Sequence, residues 1–144
     1  MSDARSNVCV TMFSCVLSWH TGELALDSGG HNPPIVWRRS SARAELLRAK
    51  GVVLGVIEKA ELEDGHTRLE HGDVLVLYTD GVTEPVNEQE EEFGEDRLIQ
   101  TVAEGSVRPC TELVKLVRER VAEFVGAQPQ FDDYTLVGVK RLAE

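Results

Sequence analysis

Basic side chains are scarce in this sequence: 15 Lys and Arg stand against 25 Asp and Glu, for a formal net charge of −10. A nucleic-acid binder needs a basic stripe to displace counterions from a phosphate backbone, so that class of partner is excluded. Cysteine is scarce as well. Cys9, Cys15 and Cys110 are odd in number, show no Cys-x-x-Cys spacing and lie in apolar or helical surroundings, which reads as reduced core thiols rather than a disulfide framework. Long apolar runs are missing: nothing approaches the roughly 18 to 20 residues of a membrane span, and Met1-Ser2-Asp3-Ala4-Arg5 lacks the apolar region of a signal peptide. The expectation is a cytoplasmic chain without a membrane partner. What is present is a 42% hydrophobic content over 144 residues, enough for one globular domain with its own core.

The hydrophobic pattern gives an order of elements. Val8 to Leu17 is rich in β-branched and apolar residues, and the break at His20-Thr21-Gly22-Glu23 before Leu24 to Leu26 predicts a β-hairpin. Gly29-Gly30-His31-Asn32-Pro33-Pro34 forbids regular structure, and Ile35 to Trp37 follows as a short strand. Ser40 to Lys50 is polar and reads as a loop, after which Gly51 to Val56 returns to the core. Glu61 to Leu69 is expected to pair with Val74 to Thr79 across the turn Glu70-His71-Gly72-Asp73. Glu88 to Glu92 is a solvated acidic loop. Gly94 to Glu104 and Pro109 to Val125 read as helices, the second with Leu113, Val117, Val121 and Phe124 on one stripe. At about 1.5 to 3 kcal/mol for each buried large apolar side chain, core packing alone accounts for that stripe.

Chemistry concentrates in two short runs. Tyr78-Thr79-Asp80-Gly81-Val82-Thr83-Glu84 puts Asp80 just past the carboxyl end of a buried strand, and Phe131-Asp132-Asp133-Tyr134-Thr135 puts two acids just before another. Two strands that deliver carboxylates to one sheet end make a site for a hard cation, because Mg²⁺ and Mn²⁺ prefer carboxylate and water oxygens. Two carboxylates about 4 Å apart repel by roughly 4 kcal/mol at an effective dielectric of 20, and a divalent ion converts that repulsion to attraction. Read without further context, Asp80 before Gly81 is also a common turn signal.

The ordered set GGHNPP (29 to 34), VVLGV (52 to 56), HGDVLVLYTDGVTE (71 to 84), EFGEDRL (92 to 98) and FDDYTLVGV (131 to 139) resembles the SpoIIE/RsbU branch of the metal-dependent PPM-type (type 2C) protein phosphatases. Each motif is weak alone, and five in the family's order are specific. The resemblance implies an α+β fold in which an antiparallel β-sandwich is flanked by helices (αββα), with two or more Mn²⁺ or Mg²⁺ ions at one end. It implies Asp80 and Asp132 as metal ligands, and catalysis by metal-activated water on phosphoserine or phosphothreonine with no protein nucleophile. Gly81, Glu84, Asp133 and His31 are candidate supporting residues. Asp133 reads first as a turn or cap residue, Glu84 equally as a solvent-facing side chain, and His31 first as an orienting group for a loop that carries Gly29 where the family usually has alanine.

The family's early Gly-Asp-x-x-Gly motif is not found before Val8; the Gly72-Asp73 pair matches the turn ahead of the Asp80 strand. The expected organisation is a fragment start or disordered segment over 1–7, a partial phosphatase domain over 8–141 with its amino-terminal portion missing, and a tail over 142–144. Exposed sheet edges would then be open to self-association or to a missing amino-terminal segment. The implied partner is a phosphorylated regulatory protein of the anti-anti-sigma type. The rival reading is a non-catalytic module that binds a phosphoprotein without hydrolysing it.

Overall fold

The computed structural model describes residues 9–49, 51, 53–54, 65–128 and 133–143. Strands β1 (Met12–Leu17), β2 (Glu23–Gly29) and β5 (Gly65–Arg68) form one antiparallel sheet in the order β1-β2-β5. Strands β4 (Arg43–Leu46), β3 (Ile35–Arg38), β6 (Val74–Tyr78) and β7 (Leu136–Lys140) form the second, also antiparallel at each pairing. Helices α1 (Gly94–Gly105) and α2 (Cys110–Val125) complete the described elements.

The layers follow from which residues alternate inward. Leu24 and Leu26 of β2 meet Val36 of β3, Leu75 of β6 and the linking residues Leu47 and Leu69, with Phe13, Cys15 and Leu17 of β1 against them, so this cluster lies between the sheets. Ile35, Val74, Val76 and Tyr78 face the other way and meet Leu98 and Val102 of α1 and Leu113, Val117 and Val121 of α2. Strand β6 is thus covered on both faces, which is why Val74-Leu75-Val76-Leu77 is an unbroken apolar run. The two-sheet sandwich is the expected fold, with both described helices on the outer face of the four-stranded sheet. The predicted stripe on α2 is the buried one, and Phe124 packs edge-on against Phe93 at its margin.

Two local expectations are corrected. Residues 61–64 lie outside the described residues, and β5, the described part of the predicted hairpin partner, pairs with β2 rather than β6. Leu69 enters the space between the sheets and donates its N–H to the Gly22 carbonyl (2.8 Å), so the turn before β6 carries the chain from one sheet to the other. Its acid fixes the crossing: the Asp73 carboxylate, 1% exposed, accepts from Arg38 Nη1 (3.0 Å) and from the N–H groups of Arg39 (2.9 Å) and Glu70 (3.0 Å). Turn composition marks the bend but cannot distinguish a hairpin from such a crossing. The second correction is β4, placed within a segment read as loop. Arg43-Ala44-Glu45-Leu46 alternates with Ala44 and Leu46 toward the helices, and two apolar residues are too few to announce an edge strand.

Candidate active site at one end of the sandwich

The strand directions gather the motifs. Ile35 pairs with both Leu46 and Val76, and Tyr78 pairs with Leu136, so β3 and β7 begin at the end where β4 and β6 finish. The five residues 30–34 join the end of β2 at Gly29 to the start of β3, which brings Gly30 and His31 to that same end. Asp80 opens a single 3₁₀ turn, Asp80–Val82, immediately past β6.

Local hydrogen bonding explains the shape of this turn. The Asp80 carbonyl accepts the N–H groups of Thr83 and Glu84 (both 2.8 Å), and its carboxylate Oδ1 accepts the N–H of Gly81 (2.9 Å). Val82 is buried beneath it, while Asp80 itself is exposed. Gly81 is required by a close approach: a Cβ there would stand 2.6 Å from the Asp133 carbonyl oxygen and 3.0 Å from Tyr134 Cβ. Directly below, Thr79 donates its N–H to the Thr135 carbonyl (3.1 Å), and Thr135 donates its own to Thr79 Oγ1 (2.9 Å). The Asp-Gly run and the Asp-Tyr-Thr run, more than fifty residues apart in sequence, are therefore laced together at one sheet end.

The other predicted residues fall as follows. Asp133 is exposed beside Gly81, and Asp132 lies outside the described residues. Glu84 is exposed, its backbone N–H closing the 3₁₀ turn. His31 is half-buried and its Nδ1 shares a hydrogen bond with Thr11 Oγ1 (3.0 Å), which ties the Gly-rich loop to the approach of β1. The same loop is packed by the segment read as returning to the core. A Cβ on Gly30 (φ +74°) would meet Val53 at 2.6 Å, and one on Gly29 would meet Leu54 at 3.2 Å. Val56 lies outside the described residues.

Tyr78 was not anticipated as a site residue. It is buried at the end of β6, donates its hydroxyl to Glu95 Oε2 (3.0 Å), and anchors the N-terminal turn of α1 next to the Asp80 turn. Burial, then the Glu95 carboxylate, pushes its phenol above the ordinary range, against a smaller opposing pull from Arg48. The only signal in sequence is its position two residues before the Asp-Gly pair.

As a cation site the described residues fit in part. Asp80 offers a hard oxygen donor at an exposed strand end, the ligand type Mg²⁺ and Mn²⁺ take. Among the described residues no group of three or more His, Cys, Asp or Glu side chains converges.

An antiparallel two-sheet sandwich with helices outside, and acid-bearing turns laced at one end, is the architecture of the PP2C phosphatase domains. The family profile described as Stage II sporulation protein E (SpoIIE) matches residues 1–142, and the chain belongs to that family. It is 28% identical over 136 residues to the phosphoserine phosphatase RsbU of Bacillus subtilis, covering 94% of this chain and 40% of that protein. Its structure superimposes on the RsbU and RsbW domains of Rv1364c from Mycobacterium tuberculosis with a TM-score of 0.75 at 25% identity, covering 92% of this chain and 36% of that one. The phosphatase domain of SpoIIE from Bacillus subtilis, presoaked with manganese, shares the fold (TM-score 0.72, 19% identity), with 93% of this chain and 57% of that one covered. The chain thus spans between about a third and three fifths of the length of these relatives.

Proposed function

We propose that this chain is a region of a metal-dependent protein serine/threonine phosphatase, with Asp80 and Asp132 as carboxylate ligands to Mn²⁺ or Mg²⁺. The observation that carries the proposal is the lacing of the Asp80-Gly81 turn onto the Asp133–Thr135 run, which holds two acid-bearing segments side by side at an exposed sheet end. Bound divalent ions would supply the acidified water and the charge to clamp phosphoryl oxygens. The chain's own residues do the positioning: Gly81 admits the close approach, Thr79 and Thr135 lock the two strands, and Tyr78 with Glu95 fixes the helix beside the turn. Asp133 and Glu84 flank the ligands, and His31 orients the Gly-rich loop through Thr11. The substrate is a phosphorylated regulatory protein of the anti-anti-sigma type, in the cytoplasm; the family membership and the likeness to RsbU support this reading.

Mn²⁺ titration by calorimetry, paired with Mn²⁺-dependent hydrolysis of a phosphoserine protein by this chain within a longer phosphatase polypeptide, tests it. Asp80→Asn should weaken Mn²⁺ binding and abolish turnover; equal binding and turnover in wild type and variant would sink the metal role. The rival reading is a phosphoprotein-binding module without hydrolysis. It predicts phosphoprotein binding that is indifferent to Mn²⁺ and to Asp80→Asn.

A further inference from the structure

Helix α1 begins without a side-chain cap. Phe93 occupies the N-cap position, where a Ser, Thr, Asp or Asn would supply an oxygen, and no side-chain hydrogen bond closes the first turn. The first N–H groups of a helix have no partner within it and must find one elsewhere. Here the partners are main-chain carbonyls of the segment that follows Asp80. Phe93 donates its N–H to the Pro85 carbonyl (2.8 Å), and Gly94 donates to the Thr83 carbonyl (2.8 Å). A third bond comes from the next residue, where Glu95 Oε2 accepts the Tyr78 hydroxyl (3.0 Å). Residues 93–95 therefore hold 85, 83 and 78, three points that bracket Asp80 on both sides.

Thr83 is the relay in this bracket. Its N–H donates to the Asp80 carbonyl (2.8 Å) while its own carbonyl takes the Gly94 N–H, so a single residue spans from Asp80 to the helix. On the other side, Tyr78 is 3% exposed and lies in the same apolar cluster as Phe93, Leu98 and Val102, which keeps its hydroxyl under α1. The turn caps the helix and the helix braces the turn. Parting them leaves backbone N–H groups unpaired on both, which is costly away from water.

Three roles are open to a carboxylate at Glu95: acceptor for Tyr78, partner of the helix dipole and cation ligand. Only the first is served equally by a neutral amide. We propose that Glu95 and Tyr78 are positioning residues for Asp80: their hydrogen bond, with the two main-chain bonds beside it, docks the first turn of α1 against the Asp80 turn and sets where that carboxylate stands. This inference rests on the metal-ligand role proposed for Asp80, and it gives Glu95 and Tyr78 no contact with ion or substrate.

Amide exchange without metal, and Mn²⁺ titration, both on this chain within a longer phosphatase polypeptide, test the proposal. Tyr78→Phe and Glu95→Ala should each speed exchange at Thr83, Glu84 and Gly94 by about tenfold or more, because each opens the bracket locally. Each should also weaken Mn²⁺ binding roughly tenfold, as losing a group that orients a ligand does. The double variant should be no weaker than either single one, since both remove the same bond. Glu95→Gln keeps an oxygen for the Tyr78 hydroxyl and should stay within about threefold of wild type in both measurements. Leu113→Ala, which opens a cavity against Gly105 at the far end of α1, should lower the urea midpoint and leave Mn²⁺ affinity unchanged. Wild-type exchange and affinity in Tyr78→Phe and Glu95→Ala, where Asp80→Asn still weakens Mn²⁺ binding, overturn this inference and leave the metal role standing. Glu95→Gln as weak as Glu95→Ala overturns it by showing that the charge is what counts. Affinity that falls as far in Leu113→Ala overturns it by showing that binding merely follows stability. Asp80→Asn with wild-type affinity sinks the metal role and this inference with it.

Discussion

Gly81→Ala is the substitution that tests the site most directly. An added Cβ would lie 2.6 Å from the Asp133 carbonyl oxygen, where ordinary contact begins at 3.4 Å, so the facing backbone must retreat by about 0.8 Å. The retreating atoms belong to main chain, which cannot yield as a flexible side-chain tip would. Such a shift stretches the two Thr79–Thr135 hydrogen bonds, now 3.1 and 2.9 Å, toward or past the limit of a useful interaction. Overpacking costs about 1 to 3 kcal/mol and each of the two weakened bonds about 1 kcal/mol at most, for roughly 1 to 5 kcal/mol in all. Displacing one acid-bearing run from the other should also lower Mn²⁺ affinity by roughly ten- to a hundredfold, the usual effect of disturbing groups that orient ligands. Urea unfolding reads the first quantity, calorimetric Mn²⁺ titration the second, and amide exchange at Thr135 the movement itself. Gly126→Ala is the matched control. Gly126, just past α2, has φ +63° and no neighbour within 4 Å of where a methyl group would stand, and its N–H bonds back to Ala122 rather than to the Asp80 turn, so alanine there costs about 1 to 2 kcal/mol of backbone strain without straining that turn. Gly81→Ala with wild-type urea midpoint, slow Thr135 exchange and unchanged Mn²⁺ affinity would refute the reasoning.

Asp73→Ala strips the buried Arg38 pair of its carboxylate and two N–H groups of their acceptor, and should cost about 3 to 5 kcal/mol in urea unfolding. Tyr78→Phe should cost about 1 to 2 kcal/mol near pH 8 through loss of the Glu95 hydrogen bond. Because the folded phenol titrates above its unfolded value of about 10, its contribution is fully present below pH 10 and is lost as pH rises through the folded value. The wild-type advantage over Tyr78→Phe in unfolding free energy should therefore shrink in that alkaline window, and an advantage that grows there would contradict the assignment. Burial pushes the thiols of Cys15 and Cys110 up, with Lys140 pulling the second partly back, whereas Cys9 is exposed. A disulfide reagent at pH 8 should modify Cys9 at least about tenfold faster than the other two until the chain is unfolded.

Most of the sandwich could be read from apolar patterning, because α1 and α2 each bury one face that leaves its period in the sequence, and β6, covered on both faces, leaves an unbroken apolar run. Sheet membership could not. Val74 to Tyr78 announces a buried strand, yet nothing in Gly65-His66-Thr67-Arg68 says that its partner is β2 in the other sheet; that is fixed by Leu69 entering the core and by Asp73 collecting three donors. At the site, Asp80 and Gly81 were legible because a strand end followed by a small residue has a sequence signature. The need for Gly81 was not: its φ is unexceptional, and the constraint is the Asp133 backbone, some fifty residues away. Tyr78 escaped for the same reason, since its partner Glu95 reaches it only through the docking of α1.

The two ends of the sandwich divide the work, and the division can be measured. Away from Asp80, Arg38 bridges Asp73, Glu45, Thr67 Oγ1 and the Arg68 carbonyl, and Arg141 donates to the carbonyls of Leu69 (2.7 Å) and His20 (3.0 Å), so the crossings between sheets are pinned by half-buried cations. Beside Asp80 the fastening is lighter, two threonine bonds and a glycine contact, and the acids are left exposed to solvent. Under the proposed function the site admits ions and a phosphoprotein, and it then cannot bury its carboxylates against fixed cations, because a paired, desolvated acid is a poor ligand for anything else. The consequence is separability: Asp73→Ala should lower stability at unchanged Mn²⁺ affinity, and Asp80→Asn should lower affinity at nearly unchanged stability. The double variant should show additive losses within about 0.5 kcal/mol, as independent sites do. A coupling larger than that would mean that the far-end cluster holds the geometry of the Asp80 turn, and the division would fail.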